Sequence, residues 1–202
     1  MKIIKKILLI QILVLITLMT NTMAQGSTAL VPVINYLLSE TPPPPYAPPA
    51  NSVNSTTITN TNDVSIRVDL LPQGIAFEKH RGKIVVLEMF EYNCGHCLLS
   101  IPRFNRLRDK YSKDDVYMVA VESRSYSNEN LKKFVKVKGI KYDTVSREKS
   151  GKMISFVGTL TGWFIGLGVP KTMVFSRNGD LIYDHIGDLE ESVVDRLIQS
   201  QL

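Results

Sequence analysis
The strongest constraint on the fold is a run of seven residues, Ile84-Val85-Val86-Leu87-Glu88-Met89-Phe90, apolar at every position but one. Successive residues of a strand face opposite sides of a sheet, so a continuous apolar run needs both faces covered, as they are inside a parallel sheet flanked by helices. Immediately downstream, Cys94-Gly95-His96-Cys97 opens a helical pattern over residues 95 to 112. Its apolar face is Leu98, Leu99, Ile101, Phe104, Leu107 and Tyr111, with a kink expected at Pro102. A second strand is expected over 116–121 and a second helix over 128–137, opened by Ser127 or Asn128 as cap. The C-terminal third reads as a strand over 172–175, an Asn178-Gly179 hairpin turn, a strand over 181–186 and a closing helix over 188–200. Asp188 and Glu191 have the spacing of a capping box for that helix. The order is a βαβα unit followed by a ββα unit, an α/β fold with a central mixed sheet between helices.

The N-terminus reads differently. Lys2, Lys5 and Lys6 precede an apolar core over 7–19, and Thr22-Met23-Ala24 places small residues where a signal peptidase cuts. Residues 1–24 are therefore a cleaved signal peptide or an uncleaved membrane anchor, and both place the domain outside the cytoplasm. The apolar core is shorter than the roughly 20 residues of a spanning helix, which favours cleavage. Prolines at 42–45, 48 and 49, followed by an Asn/Ser/Thr-rich stretch to residue 62, read as a spacer, so 25–63 is assigned as a flexible tether and 64–202 as the folded domain. Three of the 24 basic side chains lie in the first six residues; the remaining 21 face 19 acidic ones, too small an excess for a nucleic-acid partner. The lysines at 132, 133, 136, 138 and 141 form a solvated helix face.

Cys94 and Cys97 are the only cysteines, and a pair three apart closes no useful loop. Their place at the first turn of a helix suits thiol–disulfide exchange. Free backbone N–H groups and the positive end of the helix dipole stabilise a thiolate on Cys94, while Cys97, a turn further in, is placed to resolve a mixed disulfide. His96 adds a donor or a positive charge near that thiolate. Glu88, six residues upstream on the apolar strand, is a candidate buried carboxyl with a raised pKa, suited to exchange protons with Cys97; a solvent-facing Glu88 is the bland alternative. A structural zinc site needs four ligands, and the chain supplies two cysteines with His80, His96 and His185, so no metal is assigned; a copper-handling role is the competing class. Leu98 stands where covalent haem attachment needs histidine.

From Val64 to Leu202 the sequence resembles the thioredoxin superfamily. The strand ending at Phe90 with Cys94-Gly95-His96-Cys97 is similar to protein disulfide isomerase active sites, including the acid at Glu88; Pro102 matches the helix proline and Gly187 the glycine before the last helix. Val169-Pro170 matches the superfamily's cis-proline, which implies a Val169 backbone open to an extended substrate. The segment Gly74 to Lys83 resembles the entry of TlpA-type exported thioredoxins. Two departures stand out: Asn93 replaces the usual Trp before the first cysteine, and no lysine lies in 117–121 to pair with the acid, Glu122 ending that strand instead. Residues 153–168 lack charge; core helix plus loop, a membrane helix, and an exposed lip of Trp163 to Leu167 that holds protein substrates through Trp163 and Phe164 are the three readings. The resemblance implies an exported, periplasmic thiol–disulfide oxidoreductase with no cofactor beyond its redox-active disulfide. Its partners would be protein thiols or disulfides and a membrane redox protein, with the reductase direction favoured over oxidase or isomerase. A peroxidase of the related peroxiredoxin type attacks peroxide with a cysteine in a different local motif.

Overall fold
The computed structural model describes residues 54 to 202. The signal or anchor over 1–24 and most of the tether lie outside the described residues. A small antiparallel sheet comes first: β1 (Ser55–Thr59), β2 (Ser65–Leu71) and β3 (Gly74–Phe77), in that order. The central sheet is built from β4 (Ile84–Phe90), β5 (Val116–Glu122), β6 (Asp143–Val145), β7 (Lys171–Phe175) and β8 (Leu181–Ile186), ordered β6-β5-β4-β7-β8. β4 runs parallel to β5, and β5 to β6, whereas β7 is antiparallel to β4 and β8 to β7. Helices α1 (Gly95–Lys110), α2 (Asn128–Lys138), α3 (Met153–Thr161) and α4 (Glu191–Gln201) complete the described chain.

Every residue of β4 is buried, as its sequence requires, and the alternation sorts its side chains onto two cores. Val85, Leu87 and Met89 pack with Tyr117, Val119, Met173 and Phe175 against the small sheet and α3. Ile84, Val86 and Phe90 face the opposite way, with Phe104 and Leu107 of α1, Leu131 of α2 and Val194 and Ile198 of α4. Glu88 shares this second face and thus lies under the start of α1. The helix runs through Pro102 without a break. Ser127 caps α2 through its hydroxyl, which accepts from the Asn130 N–H at 3.3 Å.

The structure corrects three expectations. The tether does not reach residue 63, because Ser55–Thr59 forms an edge strand paired with β2 in regular register. Ile58 is fully buried, and the Asn60 carboxamide accepts from the backbone N–H of Asn62 and Val64 at 3.0 Å, closing the turn into β2. Thr61 reaches the central sheet, its N–H on the Thr144 carbonyl at 2.8 Å. A composition rich in Asn, Ser and Thr masked a strand in which one isoleucine and two turn residues do the anchoring. Secondly, α4 begins at Glu191 with Glu190 as its N-cap, too late for Asp188 to cap it, so the capping box does not form and Asp188 Oδ1 lies instead 2.8 Å from His96 Nδ1.

Thirdly, Trp163 is no part of an exposed lip: it is 2 % exposed, packs in the first core, and its indole N–H donates to the Gly168 carbonyl at 3.0 Å. A buried Trp needs a partner for that N–H, and the loop supplies one internally. Phe164 is 62 % exposed, with Ile165 and Leu167 beside it on the surface. Trp163→Ala is therefore expected to destabilise the fold by about 3 kcal/mol, and Phe164→Ala by less than about 0.5 kcal/mol. Urea unfolding of the two variants checks the contrast. The charge-free segment forms the short helix α3 and this loop, and among the described residues no helix is long and apolar enough to cross a membrane.

The two sheets meet at one point that tolerates no side chain. Gly74 bridges Asp180 in the β7–β8 turn, and a Cβ on Gly74 would sit 1.8 Å from the Gly179 carbonyl oxygen.

Candidate functional site
The site forms where β4 ends and α1 begins. Cys94 is the N-cap of α1, with extended backbone, and its sulfur accepts from the Cys97 N–H at 3.3 Å. One otherwise unpaired donor of the first turn thus points at the sulfur, the arrangement that stabilises negative charge there. Both cysteines are free thiols; Cys94 is half-buried and Cys97 buried. Burial, then the hydrogen bond with Cys94, push the Cys97 thiol well above its usual range. The pair is asymmetric: one sulfur meets solvent and a helix N–H, the other stays protonated inside.

Across from Cys94, the Val169–Pro170 bond is cis, and the Cys94 thiol donates to the Val169 carbonyl at 3.5 Å. Pro170 is buried and leads directly into β7. The exposed Phe164, Ile165 and Leu167 lie on the same loop a few residues upstream, and Ile186 of β8 adds a further exposed apolar side chain beside Gly168.

Beneath the pair, Glu88 is 1 % exposed, and burial pushes its carboxyl up to about 8, offset in part by a hydrogen bond with Ser100. The Ser100 hydroxyl also lies 3.1 Å from the His96 carbonyl, which keeps it at the first turn of α1. Tyr142, ahead of β6, is buried against Phe104. Burial holds its phenol well above the usual range, with Glu88 and then Cys97 adding to the effect. The lysine missing from β5 is not replaced from β7: Lys171 is buried but pairs with Asp184 on the other face of the sheet. Glu122 does not approach Glu88 across the sheet; it pairs in register with Phe90 and accepts from the N–H groups of Arg124 and Tyr126.

His96 turns outward. Its side chain is largely exposed, and Nδ1 lies 2.8 Å from the Asp188 carboxylate, which fixes the proton on that nitrogen. Sequence reasoning placed His96 but missed its partner, since Asp188 read as a helix cap. Ser100, Tyr142 and Thr172 were also missed; only the pairing of strands and the packing of α1 bring them to Glu88. Among the described residues, no group of three or more His, Cys, Asp or Glu side chains is placed to hold a metal ion.

A β4-β7 antiparallel seam inside a mixed sheet, a CxxC at the head of the helix after β4 and a cis-proline opposite it define a thioredoxin fold. The AhpC/TSA family profile matches residues 63–184, well over half of the chain, and the protein belongs to that family. Solved structures agree on the fold. A thiol-disulfide isomerase from Corynebacterium glutamicum superposes with a TM-score of 0.52 at 23 % identity, over 62 % of this chain and 84 % of that one. The exposed lipoprotein thioredoxin of Streptococcus pneumoniae gives 0.54 at 18 % identity, over 72 % and 98 %. The thioredoxin domain of a thiol-disulfide oxidoreductase from Bacteroides vulgatus gives 0.55 at 13 % identity, over 75 % and 99 %. Among curated proteins, NHL repeat-containing protein 2 from Gallus gallus is 35 % identical over 65 residues, 32 % of this chain. The match spans only 9 % of that relative.

Proposed function
We propose that the protein is an exported thiol–disulfide oxidoreductase acting on protein substrates through Cys94 and Cys97, with the reductase direction favoured. The observation that carries this reading is the asymmetry of the pair: an accessible sulfur held by a helix N–H at 3.3 Å, and a buried, protonated one a turn behind it. In the reductive direction the Cys94 thiolate attacks a substrate disulfide, one substrate sulfur leaves, and a mixed disulfide forms. Cys97 then loses its proton to Glu88 and attacks the Cys94 sulfur, so that the second substrate thiolate departs and Cys94–Cys97 closes as a disulfide. The exposed Phe164, Ile165 and Leu167 offer an apolar rim to the client chain, with Val169 as the backbone edge it would meet.

Export rests on the N-terminal sequence: residues 1–24 as signal or anchor and 25–53 as tether put the domain in the periplasm, where a membrane redox protein would re-reduce it. The full chain is expected to reduce insulin disulfides in the presence of dithiothreitol, and Cys94→Ser to abolish that activity. An active Cys94→Ser protein would end the proposal. Equilibration with glutathione buffers sets the direction: a potential near thioredoxin's, about −270 mV, means reductase, and one near about −120 mV means disulfide donor.

A further inference from the structure
Glu88 is the first of three polar residues in one row across the sheet. Strand pairing sets Glu88 of β4 opposite Thr172 of β7, and Thr172 opposite His185 of β8. Cross-strand partners lie on the same face about 5 Å apart. Both inner members carry a buried atom without a hydrogen-bond partner, Glu88 Oε1 and Thr172 Oγ1, although Thr172 is wholly inaccessible and Glu88 nearly so. Two such orphans side by side are unusual where buried polar atoms are nearly always paired. The third member, His185, is only partly buried and stands on the sheet's edge strand. In the other direction the row stops at once, because the β5 partner of Glu88 is Ala120.

We propose that Glu88, Thr172 and His185 form a proton-exit row that carries the proton lost by Cys97 from beneath the cysteine pair to solvent at the sheet edge. The proposal rests on the oxidoreductase reading above and assigns Thr172 and His185 to it as positioning residues. When Cys97 attacks Cys94, its proton passes to the Glu88 carboxylate. Neither Glu88 Oε1 nor Thr172 Oγ1 has a hydrogen-bond partner in the fold, so the links of the row are water-mediated: the Thr172 hydroxyl accepts from one water while donating to the next, relaying the proton toward the His185 ring. The ring passes the proton to solvent. The two electrons end on the substrate sulfurs, and the departing thiolate takes its proton from solvent. In the oxidative direction the same row runs inward.

The groups around Glu88 leave this path open. Cys97 faces it from α1 and Tyr142 from the turn before β6, both protonated at neutral pH. α4 contributes the apolar Val194 and Ile198 to the same core, and Lys171 points to the other face with Asp184. A carboxyl pushed up to about 8 takes and returns a proton within the working range.

Release of a fluorescent peptide from its mixed disulfide with Cys94 isolates the step, followed from pH 5 to pH 9 on the full chain. Thr172→Val and His185→Gln are each expected to slow release roughly tenfold at neutral pH, less than loss of the acid–base group itself would cost. Thr172→Ser keeps the wild-type rate, and formation of the mixed disulfide is unchanged in all three. Wild-type release in Thr172→Val or in His185→Gln overturns the row, as does equal slowing in Thr172→Ser, which would mark a packing role. The 13C shift of the Glu88 carboxyl gives a readout independent of disulfide exchange. Its titration midpoint should rise in Thr172→Val and return in Thr172→Ser, and an unmoved midpoint overturns the proposal. A wild-type protein that forms no mixed disulfide refutes the oxidoreductase reading instead, and the carboxyl titration then decides the Glu88–Thr172 coupling by itself.

Discussion
Cys97→Ser is expected to turn a catalyst into a trap. Cys94 keeps its place at the N-cap of α1, so it still attacks substrate disulfides, but nothing within reach can displace the client. The serine hydroxyl is not a nucleophile at neutral pH, and the buried carboxyl of Glu88 is too weak a base to make it one. Turnover of insulin should fall to background while a covalent adduct accumulates on Cys94, visible on non-reducing gels and released by dithiothreitol. Cys94→Ser, in contrast, should form no adduct with this attack geometry, because the remaining sulfur at Cys97 is buried. Adducts of equal yield in both variants would mean that the two cysteines are interchangeable, contrary to their unequal surroundings. The trapped protein is also the direct route to the client, since whatever is bound to Cys94 in the cell comes with it.

The second large effect is on stability. Glu88 ionises near 4.5 in the unfolded chain but holds its proton up to about 8 in the fold. Between those values the folded protein binds one more proton than the unfolded one, so stability falls as pH rises through this window. The loss is on the order of 4 kcal/mol by pH 8. Glu88→Gln removes the ionisation and keeps the shape, and its stability should lack this downward slope. His80 acts with the opposite sign. Its ring is pushed down to about 4 by burial, so its contribution is present above 6.5 and lost as pH falls toward 4. Urea unfolding of wild type and Glu88→Gln from pH 5 to pH 8 cancels His80 in the difference and leaves Glu88. Parallel curves would show that Glu88 titrates normally in the fold.

What could be read in advance depended on how local the cause was. The Ile84–Phe90 strand, the start of α1 at the cysteine pair, and the Asn178-Gly179 turn each follow from a few neighbouring residues, and each stands where expected. Elements fixed by distant partners were not legible. β1 is held by β2, and the turn after it by Thr144, more than 80 residues away from Thr61, while its own residues look like linker. Whether Trp163 lay in the core or on an exposed lip could not be told in advance, because the carbonyl that satisfies it belongs to a loop conformation, not to a periodic pattern. In the site, the cysteines and Glu88 could be picked out from spacing alone. Asp188 and Thr172 could not, because one depends on the approach of the loop before α4 to α1, and the other on the register of β7 against β4.

The indole of Trp163 has a consequence for how such a protein can change. It fastens the loop from within, to Gly168, the residue next to Val169, whose carbonyl faces the Cys94 sulfur. Phe164, Ile165 and Leu167 are carried on the outside of that fastening. Exchanging them alters what the rim offers a visitor without moving the carbonyl over the sulfur. The makeup of the rim and the geometry over the sulfur are then separate dials, and the surface can drift while the carbonyl stays fixed.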